Sequence, residues 1–214
     1  GVVALSLVLL AALGSAELLP APKRVVRGTD ALRHIGAIRA PKDLAPLVAA
    51  FRADFPAQQQ PTAPSLDVSI DPKLADEQYV LALGEQPTLI AGSATGVAWG
   101  LQSLGQILAT GARIDRVEDS PDFSFRAVMI DVARRYHSPS TLRRIVRWCQ
   151  LGKIRYLQLH LTDDQNWMMP TEVLKGVDVR NTHKRPAYTR QELTELQAYA
   201  SARGVSIVPE IDLP

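Results

Sequence analysis

The second half of the chain alternates short apolar segments with amphipathic ones. Residues 125–131, 154–161 and 205–212 are apolar runs of strand length, whereas residues 141–151 and 189–203 carry apolar side chains at helical spacing. Strands that are joined through a helix lie parallel in one sheet, and the crossover between them is right-handed. The order β-α-β-α-β therefore predicts an α/β unit in which helices cover a parallel sheet.

Sequence signals mark both ends of the second of these helices. Thr189 and Glu192 form the Thr-x-x-Glu pattern of a capping box, in which the two side chains satisfy N–H groups of the first turn. Gly204 follows the helical pattern, and glycine commonly ends a helix because it adopts the left-handed conformation without strain. The helix is therefore expected to lie between these positions.

The first half of the chain is typical of a small α+β domain. A helix, three short alternating strands and a covering helix are expected in turn, over residues 42–55, 65–70, 78–83, 87–92 and 93–108. Residues 111–123 are charged and rich in turn-forming side chains, so we interpret them as the boundary between two domains.

The amino-terminal segment predicts export. Residues 2–13 are apolar except for Ser6, and the small residues Gly14-Ser15-Ala16 that follow suit cleavage by a signal peptidase. The apolar run is shorter than the roughly 20 residues that cross a bilayer, so no stable membrane anchor is expected. A buried helix or a membrane anchor is the alternative interpretation of this segment. The predicted division is a signal peptide at 1–16, an α+β domain at 17–118 and an α/β domain at 119–214.

The balance of charge argues against a nucleic-acid partner. The chain has 24 basic and 22 acidic side chains, a net charge of +2, and its charges are spread along the sequence. Its single cysteine, Cys149, excludes an internal disulfide and lies within a predicted helix, as expected for a small buried side chain.

Charged side chains gather where the three strands of the α/β unit end. These residues are Asp131, Arg134, His160, Asp163, Asp164, Glu210 and Asp212. Parallel strands bring their carboxyl ends to one edge of the sheet, where α/β folds place their functional groups. Crowded carboxylates repel one another, so we expect some to have a raised pKa or to be held by the arginine and the histidine. A polyhydroxylated ligand suits such a rim, because carboxylates and guanidinium groups bind adjacent hydroxyls in pairs.

The same residues could instead have purely structural roles. Asp131 and Glu210 could be hydrogen-bonded carboxylates that only end their strands, and His160 could be a hydrogen-bonded core residue. A metal site formed by His160, Asp163 and Asp164 is disfavoured, since no second histidine lies at ligand spacing.

Three motifs cover the ends of these strands. They read FRAVMIDVARRYHS at 125–138, YLQLHLTDDQNW at 156–167 and VPEIDLP at 208–214. In sequence, order and spacing they resemble glycoside hydrolase family 20, the β-N-acetylhexosaminidases. The resemblance extends from about Asp122 to the end of the chain, and the upstream α+β domain is similar to the accessory domain that these enzymes carry before the barrel.

The resemblance implies an incomplete (β/α)8 TIM barrel, with the first three strands only, preceded by a small α+β accessory domain. A whole barrel takes about 250 residues, far more than residues 119–214 supply. Because the chain also starts with Gly rather than Met, we interpret it as an amino-terminal fragment that is inactive alone.

The implied activity is the retaining hydrolysis of terminal N-acetylglucosamine or N-acetylgalactosamine from glycans or chitin fragments. The 2-acetamido carbonyl of the substrate attacks the anomeric carbon in this family. An Asp–Glu pair after the fourth strand polarises the acetamido group and acts as acid and then base. That pair is expected beyond Pro214, so no catalytic residue is expected within the chain, and the resemblance implies no cofactor and no metal ion.

Residue roles carry over by position. Arg134 matches the arginine that grips the hydroxyls of the terminal sugar, and Asp163 matches the carboxylate that hydrogen-bonds a histidine beside the acid Glu. The positions that support the pocket are matched by Asp131, His160, Asp164, Glu210 and Asp212. Leu213 and the Met168-Met169 pair depart from the family pattern, and the Met pair leaves the shape of the loop on the sugar side open.

Two other functions are kept as alternatives. One is a non-catalytic carbohydrate-binding relative that has the same barrel but lacks the acid. The other is an unrelated barrel hydrolase, for instance a metal-dependent one. The sequence that follows Pro214 discriminates between the first of these and a hexosaminidase.

Overall fold

The computed structural model describes residues 18–170 and 187–212, which form two compact units. The first unit contains the described residues up to Ser124 together with Gln150–Lys153 and Ala202–Gly204, and the second unit contains the remaining described residues. The predicted signal peptide and Leu213 lie outside the described residues. None of the helices within these two ranges has the length and apolar character needed to cross a membrane.

A six-stranded mixed sheet forms the centre of the first unit, with the strand order β1-β6-β4-β5-β3-β2. Its strands are β1 (Arg24–Arg27), β2 (Ile38–Arg39), β3 (Leu66–Ile70), β4 (Tyr79–Ala82), β5 (Thr88–Ala91) and β6 (Ile114–Asp119). Strand β3 runs parallel to β2 and β5, whereas β4 runs antiparallel to β5 and β6, and β1 runs antiparallel to β6. This confirms the three strands that were predicted in the α+β half.

Two helices complete the core of the first unit. Helix α1 (Ala45–Asp54) is flanked by the 3-10 turns Lys42–Leu44 and Pro56–Gln58, and helix α2 is Ala94–Thr110. Helix α2 packs on the sheet, and α1 packs on α2. The Ser93 hydroxyl accepts hydrogen bonds from backbone N–H groups of the first turn of α2, which is why the helix begins there. Almost every side chain of α2 from Gly96 to Leu108 is buried, so it forms the centre of the first core.

The charged segment at residues 111–123, which we interpreted as a domain boundary, contains strand β6. Ile114 and Val117 are buried in the first core, and the charged residues between them face outward. Arg116 and Glu118 form an ion pair of 2.7 Å on that exposed face. A run of charges therefore belongs here to one face of a strand rather than to a loop.

The second unit has the predicted β-α-β-α-β order. It consists of β7 (Ala127–Asp131), α3 (Pro139–Leu151), β8 (Tyr156–His160), α4 (Arg190–Ser201) and β9 (Ser206–Glu210), although the last two residues of α3 belong to the first unit. Strands β7, β8 and β9 form a parallel sheet in that order, as the alternation of patterns predicted.

The predicted capping box holds the start of α4. The backbone N–H of Thr189 donates to the Glu192 carboxylate over 2.8 Å, and the backbone N–H of Glu192 donates to the Thr189 hydroxyl over 3.1 Å. Gly204 has a φ of 75°, a left-handed value that a side chain would strain. Both sequence signals are confirmed.

Buried cations are paired within the first unit. The ammonium group of Lys153 lies 2.7 Å from the Asp119 carboxylate and 2.8 Å from the hydroxyl of Tyr79, whose pKa is raised by burial and by the charge of Asp119. Arg203 binds Asp54 through two hydrogen bonds of 2.9 and 3.1 Å, and both of these side chains are buried. Each of these charged groups can be buried because a group of opposite charge lies next to it.

We expect Arg203→Ala to lower the free energy of unfolding by about 3–5 kcal/mol, because the buried Asp54 carboxylate loses the guanidinium that neutralises it. Urea titration of the chain, followed by circular dichroism, measures this loss. Arg39→Ala is the matched control, since its ion pair with Asp67 is exposed and should contribute about 1 kcal/mol or less. Equal losses in the two variants would contradict the importance of the buried pair.

Candidate functional site

The register of the parallel sheet brings three predicted site residues side by side. Asp131 of β7 is the partner of His160 on β8, and His160 is the partner of Glu210 on β9. Side chains alternate between the two faces of a strand, so aligned residues share one face. The neighbouring Leu157 and Leu159 point to the other face and are fully buried. The polar side chains thus form one layer at the carboxyl edge of the sheet.

Arg134 lies above this layer, between two carboxylates. Its Nη1 donates to Asp131 Oδ2 over 2.8 Å, and its Nε lies 2.6 Å from Asp163 Oδ2. The backbone N–H of Arg134 also donates to Asp131 Oδ1 over 2.9 Å. The two carboxylates hold the guanidinium on one side, and 54% of the Arg134 side chain remains exposed to solvent.

The charge of Arg134 keeps its partner ionised. Partial burial opposes ionisation of Asp131, but the hydrogen bonds from the Arg134 backbone and side chain, with the charges of Arg134 and His160, lower the pKa of Asp131 below its ordinary value. In return, the hydrogen bond to Asp131 and the charges of Asp163 and Asp164 raise the pKa of Arg134. The pair is therefore fully charged at neutral pH.

A tight turn after β8 positions Asp163. Asp163 Oδ1 accepts a hydrogen bond of 2.7 Å from the backbone N–H of Gln165, and the backbone N–H of Asp163 donates to the Asn166 carbonyl over 3.0 Å. The side-chain amide of Asn166 donates to the Ala133 carbonyl over 2.9 Å, which joins this turn to the loop that carries Arg134. Only 3% of the Asp163 side chain is exposed.

His160 is held by its neighbour on β9. Its Nδ1 lies 2.9 Å from Glu210 Oε1, and the side-chain amide of Gln158 donates to Glu210 Oε2 over 2.5 Å. These hydrogen bonds from Gln158 and His160 lower the pKa of Glu210. The ring of His160 is 7% exposed, and its Nε2 lies 3.9 Å from Asp163 Oδ2.

The other two predicted residues lie at the rim. Asp164 is exposed. Asp212 is anchored by its backbone N–H, which donates to the Thr162 hydroxyl over 2.7 Å, and its half-exposed carboxylate comes within 4.0 Å of His160 Nδ1. The structure therefore connects acidic and basic side chains in alternation, with Asp164 and Asp212 beside them. The connected residues are Asp131, Arg134, Asp163, His160 and Glu210.

Ligand atoms of His160, Glu210 and Asp212 lie within 4.8 Å of one another, close enough to surround a cation. This set differs from the set of His160, Asp163 and Asp164 that the sequence analysis considered and disfavoured as a metal site. Both oxygens of Glu210 already accept hydrogen bonds, from His160 and from Gln158, so the arrangement is explained without an ion. We assign no metal to it.

Two supporting residues were missed by the sequence reasoning. Gln158 lies two residues before His160 on the same face of β8, so strand periodicity could have identified it. Tyr188 follows a segment without a clear pattern. Its hydroxyl donates to the His137 carbonyl over 2.6 Å, and its ring stacks on Tyr136 with the ring centroids 5.4 Å apart. Burial raises the pKa of Tyr188, which keeps this donor protonated.

A cavity of about 350 Å³ lies on the opposite face of the sheet, between that face and α4. Apolar side chains of β8 and β9, including Leu159 and Ile207, form much of its wall. Its lining contains none of the seven predicted site residues. The charged layer, and not this cavity, is therefore the candidate site.

Family models match both halves of the chain. Residues 123–214 match "Glycosyl hydrolase family 20, catalytic domain", and residues 15–120 match "Glycosyl hydrolase family 20, domain 2". A β-hexosaminidase of Akkermansia muciniphila is 34% identical over 176 residues, which are 73% of this chain and 36% of that protein. A β-N-acetylhexosaminidase of Cellulomonas fimi is 32% identical over 168 residues, which are 72% of this chain and 34% of that protein. The chain thus spans about a third of the length of these relatives.

Solved structures share the fold. An exo-β-N-acetylglucosaminidase of Vibrio harveyi matches with a TM-score of 0.77 and 23% identity, over 94% of this chain and 37% of that one. A β-N-acetylhexosaminidase of Bacteroides fragilis matches with a TM-score of 0.77 and 22% identity, over 94% of this chain and 46% of that one. At these identities the likeness establishes the arrangement of the backbone.

We expect Arg134→Gln to raise the pKa of Asp131 toward its ordinary value, because the carboxylate loses the guanidinium that favours its charged form. A lowered folded-state pKa means that the contribution of Asp131 to stability is present above its ordinary pKa and is lost as the pH falls through the folded value. Carboxyl ¹³C NMR during a pH titration measures the shift. Glu118, whose pKa is lowered mainly by Arg116, is the internal control. An unchanged pKa of Asp131 would mean that the backbone N–H of residue 134 alone causes its lowered value.

Proposed function

The chain belongs to glycosyl hydrolase family 20, and we propose that it is the amino-terminal part of a β-N-acetylhexosaminidase. The whole enzyme would remove terminal N-acetylglucosamine or N-acetylgalactosamine from glycans or chitin fragments. Relatives that are named β-hexosaminidase or β-N-acetylhexosaminidase, with 34% and 32% identity, support this proposal.

The geometry of Arg134 carries the proposal most directly. Asp131 and Asp163 each occupy one side of the guanidinium, through Nη1 and Nε, and leave the Nη2 side free of hydrogen bonds to the described residues. A guanidinium that is fixed in this way can donate to two adjacent hydroxyls of a sugar without first becoming ordered. Arg134 would therefore bind the terminal sugar at the carboxyl edge of the sheet.

Three strands and two helices are the beginning of the proposed barrel. In this proposal residues 119–214 form the first part of a (β/α)8 TIM barrel, residues 17–118 form its accessory domain, and residues 1–16 are a signal peptide that directs export. The parallel order β7-β8-β9 and the mixed sheet of the first unit support the first two assignments. Barrel enzymes place their sites where the charged layer lies, at the carboxyl ends of the strands.

The reaction would be substrate-assisted and retaining. The 2-acetamido carbonyl of the sugar attacks the anomeric carbon, and an Asp–Glu pair beyond Pro214 would orient that carbonyl and transfer the proton. Within this chain, Arg134 would hold the sugar hydroxyls, and Asp163 would hold a histidine beside the acid. No residue of the chain is assigned a covalent step, and the mechanism uses no cofactor or metal.

We expect the full-length protein to hydrolyse 4-nitrophenyl N-acetyl-β-glucosaminide. Release of 4-nitrophenol measures the activity, and 4-nitrophenyl β-glucoside is the matched control, because it lacks the acetamido group that the mechanism needs. A thiazoline mimic of the cyclic intermediate should inhibit the enzyme, whereas EDTA should leave its rate unchanged. Binding of N-acetylglucosamine without turnover would support a non-catalytic carbohydrate-binding relative instead.

We also expect Arg134→Ala to raise KM for this substrate about ten- to a hundredfold, since charge-assisted hydrogen bonds to the sugar are lost. Arg135→Ala is the matched control, because Arg135 is an exposed neighbour outside the charged layer. Steady-state kinetics of the full-length protein measures both effects. Similar KM values for the two variants would refute the role of Arg134.

A further inference from the structure

We propose that His160 is a positioning residue whose Nε2 side holds Asp163 in place, and that Asp163 in turn holds the guanidinium of Arg134. This inference rests on the proposed function, because it assigns Arg134 to sugar binding. It adds a role for a side chain that would not touch the sugar. The role depends on which way the imidazole ring faces.

The orientation of the ring is set at Nδ1. Glu210 Oε1 lies 2.9 Å from Nδ1, and Glu210 is itself fixed at its second oxygen by Gln158, which neighbours His160 on the same face of β8. The lowered pKa of Glu210 makes it an ionised carboxylate, which accepts hydrogen bonds and cannot donate them. Nδ1 therefore carries a proton, and the ring is locked with Nε2 pointing away from β9.

The opposite edge of the ring faces Asp163. The Nε2 atom lies 3.9 Å from Asp163 Oδ2, and both atoms are buried. Nε2 has no hydrogen bond to the described residues, whereas Oδ2 already has Arg134 Nε as its partner at 2.6 Å. A ring nitrogen in this place can offer an N–H group to the carboxylate, which accepts hydrogen bonds and cannot donate them. A distance of 3.9 Å is too long for a hydrogen bond, so an N–H group at Nε2 would act on Oδ2 through electrostatic attraction.

His160 would act on Arg134 through a single oxygen atom of Asp163. Asp163 Oδ2, the oxygen that faces His160, is also the oxygen that lies 2.6 Å from Arg134 Nε. Backbone N–H groups of the turn hold the other oxygen, Oδ1. Removing the Nε2 edge of His160 would leave Oδ2 attracted by Arg134 alone, and the guanidinium would be fixed less firmly on its Nε side. Among the described residues, the ionisable side chains that surround His160 are Asp131, Asp163, Glu210 and Asp212.

Two substitutions of His160 test the roles of its two ring nitrogens separately. In His160→Gln the side-chain amide can reach the place of Nε2, whereas in His160→Asn it can reach only the place of Nδ1. We expect His160→Asn to raise KM of the full-length enzyme about tenfold, which corresponds to ~1.4 kcal/mol, with little change in kcat. His160→Gln should recover most of the wild-type KM. The exposed His34 provides the matched control, since His34→Asn should leave KM unchanged.

A double-mutant cycle tests whether the effect passes through Asp163. If it does, His160→Asn should raise KM in the wild-type background and have no further effect in an Asp163→Asn background. Equal KM values for His160→Gln and His160→Asn, or additive effects in the cycle, would overturn the positioning role while the hexosaminidase assignment stands. If the full-length wild-type protein neither hydrolyses the substrate nor binds N-acetylglucosamine in calorimetry, the proposed function and this inference both fall.

Discussion

The register between three parallel strands is the constraint on which the charged layer depends. Side chains alternate along a strand, so a slip of one residue in β8 would turn His160 toward the apolar face and bring Leu159 into the polar layer. The burial of Leu157 and Leu159 opposes such a slip, because both side chains would lose their apolar environment. The same packing that stabilises the sheet therefore also places the site residues.

Alternating charge allows so many carboxylates to share one edge. Arg134 separates Asp131 from Asp163, and His160 separates Asp163 from Glu210. The sequence left two outcomes open for the carboxylates, a raised pKa or a basic partner. In the structure the carboxylates have partners and their pKa values are lowered: that of Asp131 by Arg134, and that of Glu210 by the amide of Gln158 and by His160. An edge of this kind stays charged at neutral pH and attracts polar ligands.

Long patterns and local signals were predictable from the sequence, whereas long-range pairing was not. The parallel unit and its capping box follow from periodicity and from residues three positions apart. Strands β1, β2 and β6 were missed because they are short or highly charged, and β1 pairs with β6 across about 90 intervening residues. At the site, the seven residue types could be read from strand ends. Their contacts could not, because the 2.6 Å approach of Arg134 to Asp163 depends on how two loops fold together.

The fixed position of Arg134 would lower the entropy that is lost when a ligand binds to it. An arginine side chain loses substantial rotamer freedom when a ligand immobilises it, and that loss weakens binding. Here the two carboxylates order the guanidinium before any ligand arrives, and the turn hydrogen bonds of Asp163 and the backbone hydrogen bond of Asp131 keep those carboxylates in place. The entropy is therefore lost during folding rather than during binding. A hydroxylated ligand would meet a donor already in position, so the specificity of this edge lies in geometry that the sheet and its loops establish beforehand.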